Sequence, residues 1–234
     1  MAEAVAGESK VAVAFSGGLD SSLLTVCAKR HANVLACSAF SPGAADAARA
    51  RRGAIALDVD LVATELTKES VAEAVGMVDL PFEPTLMDRS LWCLYWLVSR
   101  RASEAGARVL LLGQLADELF GGYAKYAAVL GRDGPEAARS MMNRDLLAYA
   151  ERGRLRDEGA CRRWVKPRFP FEAKALVEFA SGLPVSFKIR DGVRKVVLRR
   201  AALLLGVPEE FARAPKKAAQ YSSGVQKLVV SSRF

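Results

Sequence analysis

Alternating short apolar runs and helix-period segments predict an α/β protein built on a doubly wound parallel sheet, with a helical subdomain towards the C-terminus. Two observations carry that expectation. The apolar runs are rich in Val, Ala and Leu with little polar alternation, as strands buried on both faces are, and strand-like runs stop at about Pro135. With 234 residues and 51% hydrophobic content, the chain can bury a full core near the upper size of one compact domain. The expected division is a sheet core over residues 1–134 and a helical subdomain over 135–234.

The first run, residues 10–15 (KVAVAF), stops at a Ser-Gly-Gly turn, and Leu19, Leu23, Leu24 and Cys27 then recur at helical spacing up to Arg30. Residues 33–40 (NVLACSAF) read as a second strand, 44–52 as a helix, 54–61 (AIALDVDL) as a third strand and 64–75 as a helix. After the turn-like segment 80–84 (LPFEP), an apolar-periodic helix over 88–105 leads through Gly106 into residues 108–112 (RVLLL), a fourth buried strand. From 135 onward the pattern reads as helices only, broken by Pro167, Pro170, Pro184 and Pro208.

Bulk chemistry narrows the classes of function. No run of about 18 apolar residues occurs, and the N-terminal MAEAVAGESK lacks the pattern of a signal peptide. A soluble, cytoplasmic protein with no membrane contact is expected. Cys27, Cys37, Cys93 and Cys161 form no CxxC pair, which argues against both a disulfide framework and a zinc knuckle. The net charge of +8 favours polyanionic ligands, a nucleotide or RNA among them.

The strand-to-helix junction Ser16-Gly17-Gly18-Leu19-Asp20-Ser21-Ser22 is suited to phosphate. Its glycines permit backbone conformations that let several N–H groups converge on one anion. The helix N-terminus adds partial positive charge, and Ser16, Ser21 and Ser22 add hydroxyl donors. Asp20 repels phosphate directly and makes sense through a bridging Mg²⁺. Neither GxxxxGK[ST] nor GxGxxG is present at this junction.

SGGLDSS resembles the loop of the ATP pyrophosphatase superfamily, and residues 113–123 (GQLADELFGGY) narrow the resemblance to the asparagine synthetase synthase domain and its β-lactam-forming relatives. Weaker matches follow in order at 167–171 (PRFPF), 176–188, 195–199 (KVVLR) and 216–224 (KKAAQYSSG), so the similarity runs from Val11 to about Lys227. It implies an adenine nucleotide alpha hydrolase-like sheet and an AMP-forming ligase. Such an enzyme activates a carboxylate by attack on the alpha phosphate of ATP, and ammonia or an amine then displaces AMP. Carried onto this sequence, Asp20 and Asp117 hold magnesium, while Ala39, Phe40, Leu112 and Gly113 border the nucleotide with the phosphate loop. Two carboxylates about 4 Å apart repel by roughly 4 kcal/mol at an effective dielectric near 20, and a shared divalent cation reverses the sign. Asp117 and Glu118 also read as acidic residues at a helix N-terminus.

Lys217 is the expected counter-charge for the pyrophosphate, with Lys216 the alternative and Arg168, Lys188 and Lys195 secondary candidates. The family's general base, a glutamate in a GEG-type sequence, is matched by Gln114, an amide that cannot take a proton. Glu118 and Glu172 are substitutes for it. The family's PFLD pattern becomes Pro170-Phe171-Glu172-Ala173, pointing to a carboxylate other than aspartate. The chain goes from Met1-Ala2 almost at once into the ATP domain, so a glutaminase domain is not expected. Ammonia then comes free, from a separate amidotransferase subunit, or is replaced by another amine. Two alternatives remain open: a nucleotide or tRNA modification enzyme of the same superfamily, and a non-catalytic subunit that binds ATP or AMP.

Overall fold

A computed structural model describes residues 1–215 and 219–231 of the chain. Helix α1 (Ala2–Val5) precedes β1 (Lys10–Ala14), α2 (Leu19–Lys29), β2 (Asn33–Phe40), α3 (Ala45–Ala56), β3 (Asp60–Glu65) and α4 (Lys68–Gly76). Next come α5 (Leu86–Glu104), β4 (Val109–Leu111), α6 (Ala116–Phe120) and α7 (Ala124–Ala148), then a π-helical turn (Tyr149–Gly153) and α8 (Arg154–Cys161). Strand β5 (Lys166–Arg168) and a 3-10 turn (Pro170–Glu172) lead to α9 (Lys174–Gly182), α10 (Val185–Lys188) and the hairpin β6 (Ile189–Arg190) and β7 (Val193–Arg194). Helices α11 (Val196–Leu204), α12 (Glu209–Ala212), α13 (Ala219–Ser222) and α14 (Val225–Ser231) follow.

Five strands form one parallel sheet in the order β3-β2-β1-β4-β5. The doubly wound parallel α/β architecture expected from the sequence is therefore the one observed. Its centre is apolar on both faces: Ala12, Leu35, Cys37 and Leu110 pack under Trp92, Trp96 and Leu97 of α5, while Val11, Val13, Val34 and Leu111 pack against Leu23 and Leu24 of α2. Chain order reverses beside β1, with β2 and β3 to one side and β4 and β5 to the other. Ligands of such sheets bind at that reversal, outside the carboxyl ends of the strands.

Two element assignments are corrected. The third strand lies at Asp60–Glu65 rather than at 54–61, because Ala50, Ala54 and Leu57 recur at helical spacing and bury against Phe15, Ala36 and Phe40. Helix α4 accordingly starts at Lys68, where Thr67 and Ser70 form a reciprocal capping box. The segment after 135 is not helical throughout, since Lys166–Arg168 pairs in parallel with β4 and Ile189–Arg194 forms a hairpin. Strand β5 lies at the sheet edge, where Pro167 is tolerated despite its missing N–H. Helix α7 is interrupted by a kink at Gly134 (φ 84°), where the expected division of the chain falls. Among the described residues no helix is long and apolar enough to cross a membrane.

Candidate active site

The phosphate-loop candidate follows β1 and is braced from behind. Gly17 has φ 66°, and a Cβ there would stand 2.6 Å from the Arg49 carbonyl oxygen, so both conformation and space call for glycine. Arg49 Nε donates to the Ser16 carbonyl at 3.0 Å, and its Nη2 is 2.5 Å from Asp46 Oδ1. Inside the turn, Gly18 N donates to Ser16 Oγ at 3.3 Å, and Ser21 Oγ donates to the Gly18 carbonyl at 3.2 Å. Asp20 stands in the first turn of α2. Ser22 is fully buried, and its hydroxyl has no hydrogen-bond partner among the described residues.

A second arm follows β4. Gly113 and Gln114 leave the strand end, Leu115 takes the left-handed conformation (φ 72°), and Asp117 and Glu118 open α6. The tight turn brings the main chain of Gly122 onto the Asp117 side chain: a Cβ at Gly122 would overlap Asp117 Oδ1 and Lys195 Cε. Lys195 arrives from the β7–α11 junction, also left-handed (φ 57°), and is held there as Arg194 Nη1 donates to the Gly122 carbonyl at 2.6 Å. Its ammonium lies 2.7 Å from each carboxylate oxygen of Asp20 and 2.8 Å from Asp117 Oδ1, with the side chain only 3% exposed. The two aspartates singled out in the sequence thus meet on one cation. Backbone strain of this kind, in residues without a glycine's freedom, clusters at functional sites.

These arms border a cleft of about 820 Å³. Ser16, Asp20, Ser21, Ala39, Phe40, Gly113, Gln114 and Asp117 line it; Gly17, Gly18, Leu19, Ser22 and Leu112 are not among its lining residues. Cys37 and Ser38 of β2 line it beside Ala39 and Phe40, with Ser223 held there by Ser41, and Gln220, Tyr95, Tyr123, Tyr149 and Arg156 line it too. Lys216 and Lys217 lie outside the described residues. Arg168 caps α1 through the carbonyls of Ala4 and Ala6, and Lys188 is buried beside Arg139, both away from the cleft lining.

Along the cleft wall near Tyr95, Tyr149 and Arg156 runs a chain of buried charges that the sequence did not single out. Asp88 accepts from the backbone of Thr85 at 3.0 Å and from its hydroxyl at 2.7 Å, and its other oxygen takes Arg156 Nη1 at 3.0 Å. Arg156 Nε donates to Asp157 at 2.8 Å, and the other oxygen of Asp157 accepts from Gln114 Nε2 at 2.5 Å. Burial alone raises the Asp88 carboxyl, but the Thr85 hydrogen bonds and the Arg156 guanidinium together take it below its ordinary range. Asp157 goes the other way: complete burial pushes it up against the pull of Arg156. Glu118 is likewise raised, by burial first and by Asp117 next, against a 2.8 Å hydrogen bond from Tyr123. Glu172, the other substitute base, accepts from Tyr149 and Arg154 and lies outside the cleft lining.

With this geometry in view, comparison with known proteins settles the family. The Asparagine synthase family model matches residues 1–166 and 132–230. The chain belongs to the asparagine synthase family. A relative from Methanocaldococcus jannaschii, named "Putative asparagine synthetase [glutamine-hydrolyzing] 1", is 29% identical over 96% of this chain and 48% of its own length. "Asparagine synthetase domain-containing protein 1" of Mus musculus is 31% identical over 75% of this chain and 30% of its own length. The Drosophila melanogaster protein "Asparagine synthetase domain-containing protein CG17486" is 32% identical over 60% and 27%. The chain spans about half or less of these relatives. A solved structure titled "The crystal structure of predicted subunit of tRNA methyltransferase from Methanocaldococcus jannaschii DSM" aligns at TM-score 0.38 and 17% identity over 89% of this chain and 94% of that one, too loosely to bear on fold or function.

The donor set is compatible with magnesium. Among the described residues no three His, Cys, Asp or Glu are grouped to hold a metal by themselves. Two carboxylates converging on one cation are what Mg²⁺ takes from a protein when phosphates and water complete its shell, and the Lys195 ammonium is the cation found there.

Proposed function

We propose that this member of the asparagine synthase family is an ATP-dependent ligase that adenylates a carboxylate, releases pyrophosphate and passes the acyl group to ammonia or an amine. The observation that carries the reading is the meeting of Asp20 and Asp117 on one buried cation beside the phosphate loop, at the reversal of the sheet. In this reading the turn formed by Ser16, Gly17, Gly18, Leu19, Ser21 and Ser22 seats the polyphosphate. Ala39, Phe40, Leu112 and Gly113 border the nucleoside, and Lys217, with Lys216 the alternative, neutralises the departing pyrophosphate. Mg²⁺, held by Asp20 and Asp117, supplies charge stabilisation at the phosphates. The carboxylate substrate occupies the tyrosine-lined part of the cleft, and ammonia comes free or from a separate amidotransferase partner.

Pyrophosphate release from Mg²⁺ and ATP, screened over amino acids, other carboxylates and tRNA, tests the reading. Steady release with at least one of them is expected, falling at least 100-fold in Asp20→Asn. Release that is unchanged in that variant removes the assignment.

Gln114 favours a second reading, a subunit that binds nucleotide without turnover, because the residue in the family's base position donates to Asp157. A positioned base contributes roughly 10²- to 10⁴-fold. Ammonia-dependent asparagine formation by the wild type is accordingly expected to be poor even with aspartate, ATP and magnesium supplied. Nucleotide binding without pyrophosphate release on any of the substrates screened decides for the second reading.

A further inference from the structure

The pairing expected from the sequence was two carboxylates waiting for a metal. What stands between them is Lys195, 3% exposed and bonded at 2.7–2.8 Å to both. This is a built position. Lys195 adopts a left-handed backbone that costs a non-glycine residue, its neighbour Arg194 ties the hairpin to the Gly122 carbonyl, and Gly122 leaves no room for a side chain above the Asp117–Lys195 contact. The contact joins residues 175 apart in sequence, so packing of the β6–β7 hairpin and α11 onto the site sets it.

Charge arithmetic gives the arrangement a consequence. Two aspartates and one ammonium sum to −1. A free divalent ion approaching them meets a like charge already seated at the shared position, and it must shed water for a pair that has lost half its attraction. A nucleotide polyphosphate changes the balance, because it offers the ammonium a new anionic partner and the metal its remaining oxygen ligands. We propose that Lys195 is a tethered stand-in cation that keeps the Asp20–Asp117 pair compact and closed to free divalent metal until nucleotide enters. Metal binding is thereby ordered: the metal arrives with the nucleotide, not before it. The proposal rests on the reading of the cleft as a Mg²⁺–ATP site, but its metal-only arm stands apart from that reading.

The test is a titration of the purified protein with Mn²⁺, following free metal by electron paramagnetic resonance, with and without the non-hydrolysable analogue α,β-methylene-ATP. Wild type is expected to bind Mn²⁺ alone at least tenfold more weakly than with the analogue. Lys195→Met is expected to bind Mn²⁺ alone at least tenfold more tightly than wild type, whereas Lys195→Arg, which keeps the charge, stays within a few-fold of wild type. Removing the ammonium leaves two carboxylates facing each other, that of Asp117 buried and that of Asp20 partly so, and Lys195→Met is therefore also expected to melt several degrees higher in millimolar Mg²⁺ than in chelator, while wild type does not. Equal Mn²⁺ affinity of wild type with and without analogue would overturn the proposal, as would a Lys195→Met protein with no gain in metal affinity. A protein that binds no analogue with or without metal loses the ATP reading, while the comparison of Lys195→Met with wild type on metal alone still decides the role of Lys195.

Discussion

Lys188 is buried against α7 with Arg139 as a charged neighbour and no ion pair among the described residues. Burial and that neighbour lower its pKa to about 8. An unfolded lysine titrates near 10.4. Below pH 8 the folded protein therefore bears the full cost of a buried ammonium, and between about 8 and 10.4 the unfolded chain holds a proton the folded one has released, so stability from this group rises with pH. Lys188→Met is expected to melt higher than wild type at pH 7, with the advantage shrinking from pH 8 towards 10. A gap independent of pH in paired thermal scans contradicts this. At the scale of single residues, the sequence was informative where chemistry is local: SGGLDSS and DELFGGY each sit at a strand end and carry their aspartates to the cleft. It was uninformative where a partner is remote. Nothing in the composition of α8 marks Asp157 as the residue that holds the Gln114 amide, and Lys195 ranked only as a secondary cation until the hairpin set it between Asp20 and Asp117.

At the scale of elements, α5 shows how a helix cap becomes part of a site wall. Thr85 and Asp88 form a reciprocal capping box, and the same carboxylate receives Arg156 from α8. Losing a cap of this kind costs about 1 kcal/mol, and here it also frees a carboxylate that orients a buried guanidinium. Thr85→Ala is expected to lower stability in urea unfolding by about 1 to 2 kcal/mol, beyond the cap alone because the Asp88 carboxylate loses the Thr85 hydroxyl donor as its N–H loses the acceptor, while the bond from the Thr85 backbone remains. A loss below about 0.3 kcal/mol shows that water replaces the cap without penalty. Strands β1, β2 and β4 were legible because burial on both faces leaves an unbroken apolar run. Strand β3 was misplaced because Ala54 and Leu57, apolar enough for a strand, belong to the inner face of α3. Strand β5 is three residues long with a proline in the middle, and only its pairing with β4 identifies it.

At the scale of the whole molecule, a basic protein surrounds an acidic cleft. The chain carries a net charge of +8, yet among the described residues the lining holds Asp20, Asp46, Asp88, Asp117, Glu118 and Asp145 against Lys125, Arg152 and Arg156. The outer field draws polyanions in, and the interior prefers them with a metal counter-ion. Mg²⁺–ATP at a hundredfold excess over its dissociation constant is expected to raise the melting temperature by about 5 to 10 °C, whereas ATP with chelator gives less than half of that. Equal shifts in both conditions remove the metal from the binding step. Segments 182 residues apart in sequence meet at this cleft as well. Ser41 N, just past β2, donates to the Ser223 carbonyl at 2.8 Å, and Gln220 and Ser223 line the cleft together with Ala39 and Phe40. Contacts of such long sequence separation form late, because closing the loop costs entropy before the contact returns any. The sheet can therefore assemble while the cleft is still open on one side. In refolding, helical circular dichroism should return before nucleotide binding does, and a ribosome-bound chain short of its last helices would already have its phosphate loop but no closed pocket to hold a nucleotide against it.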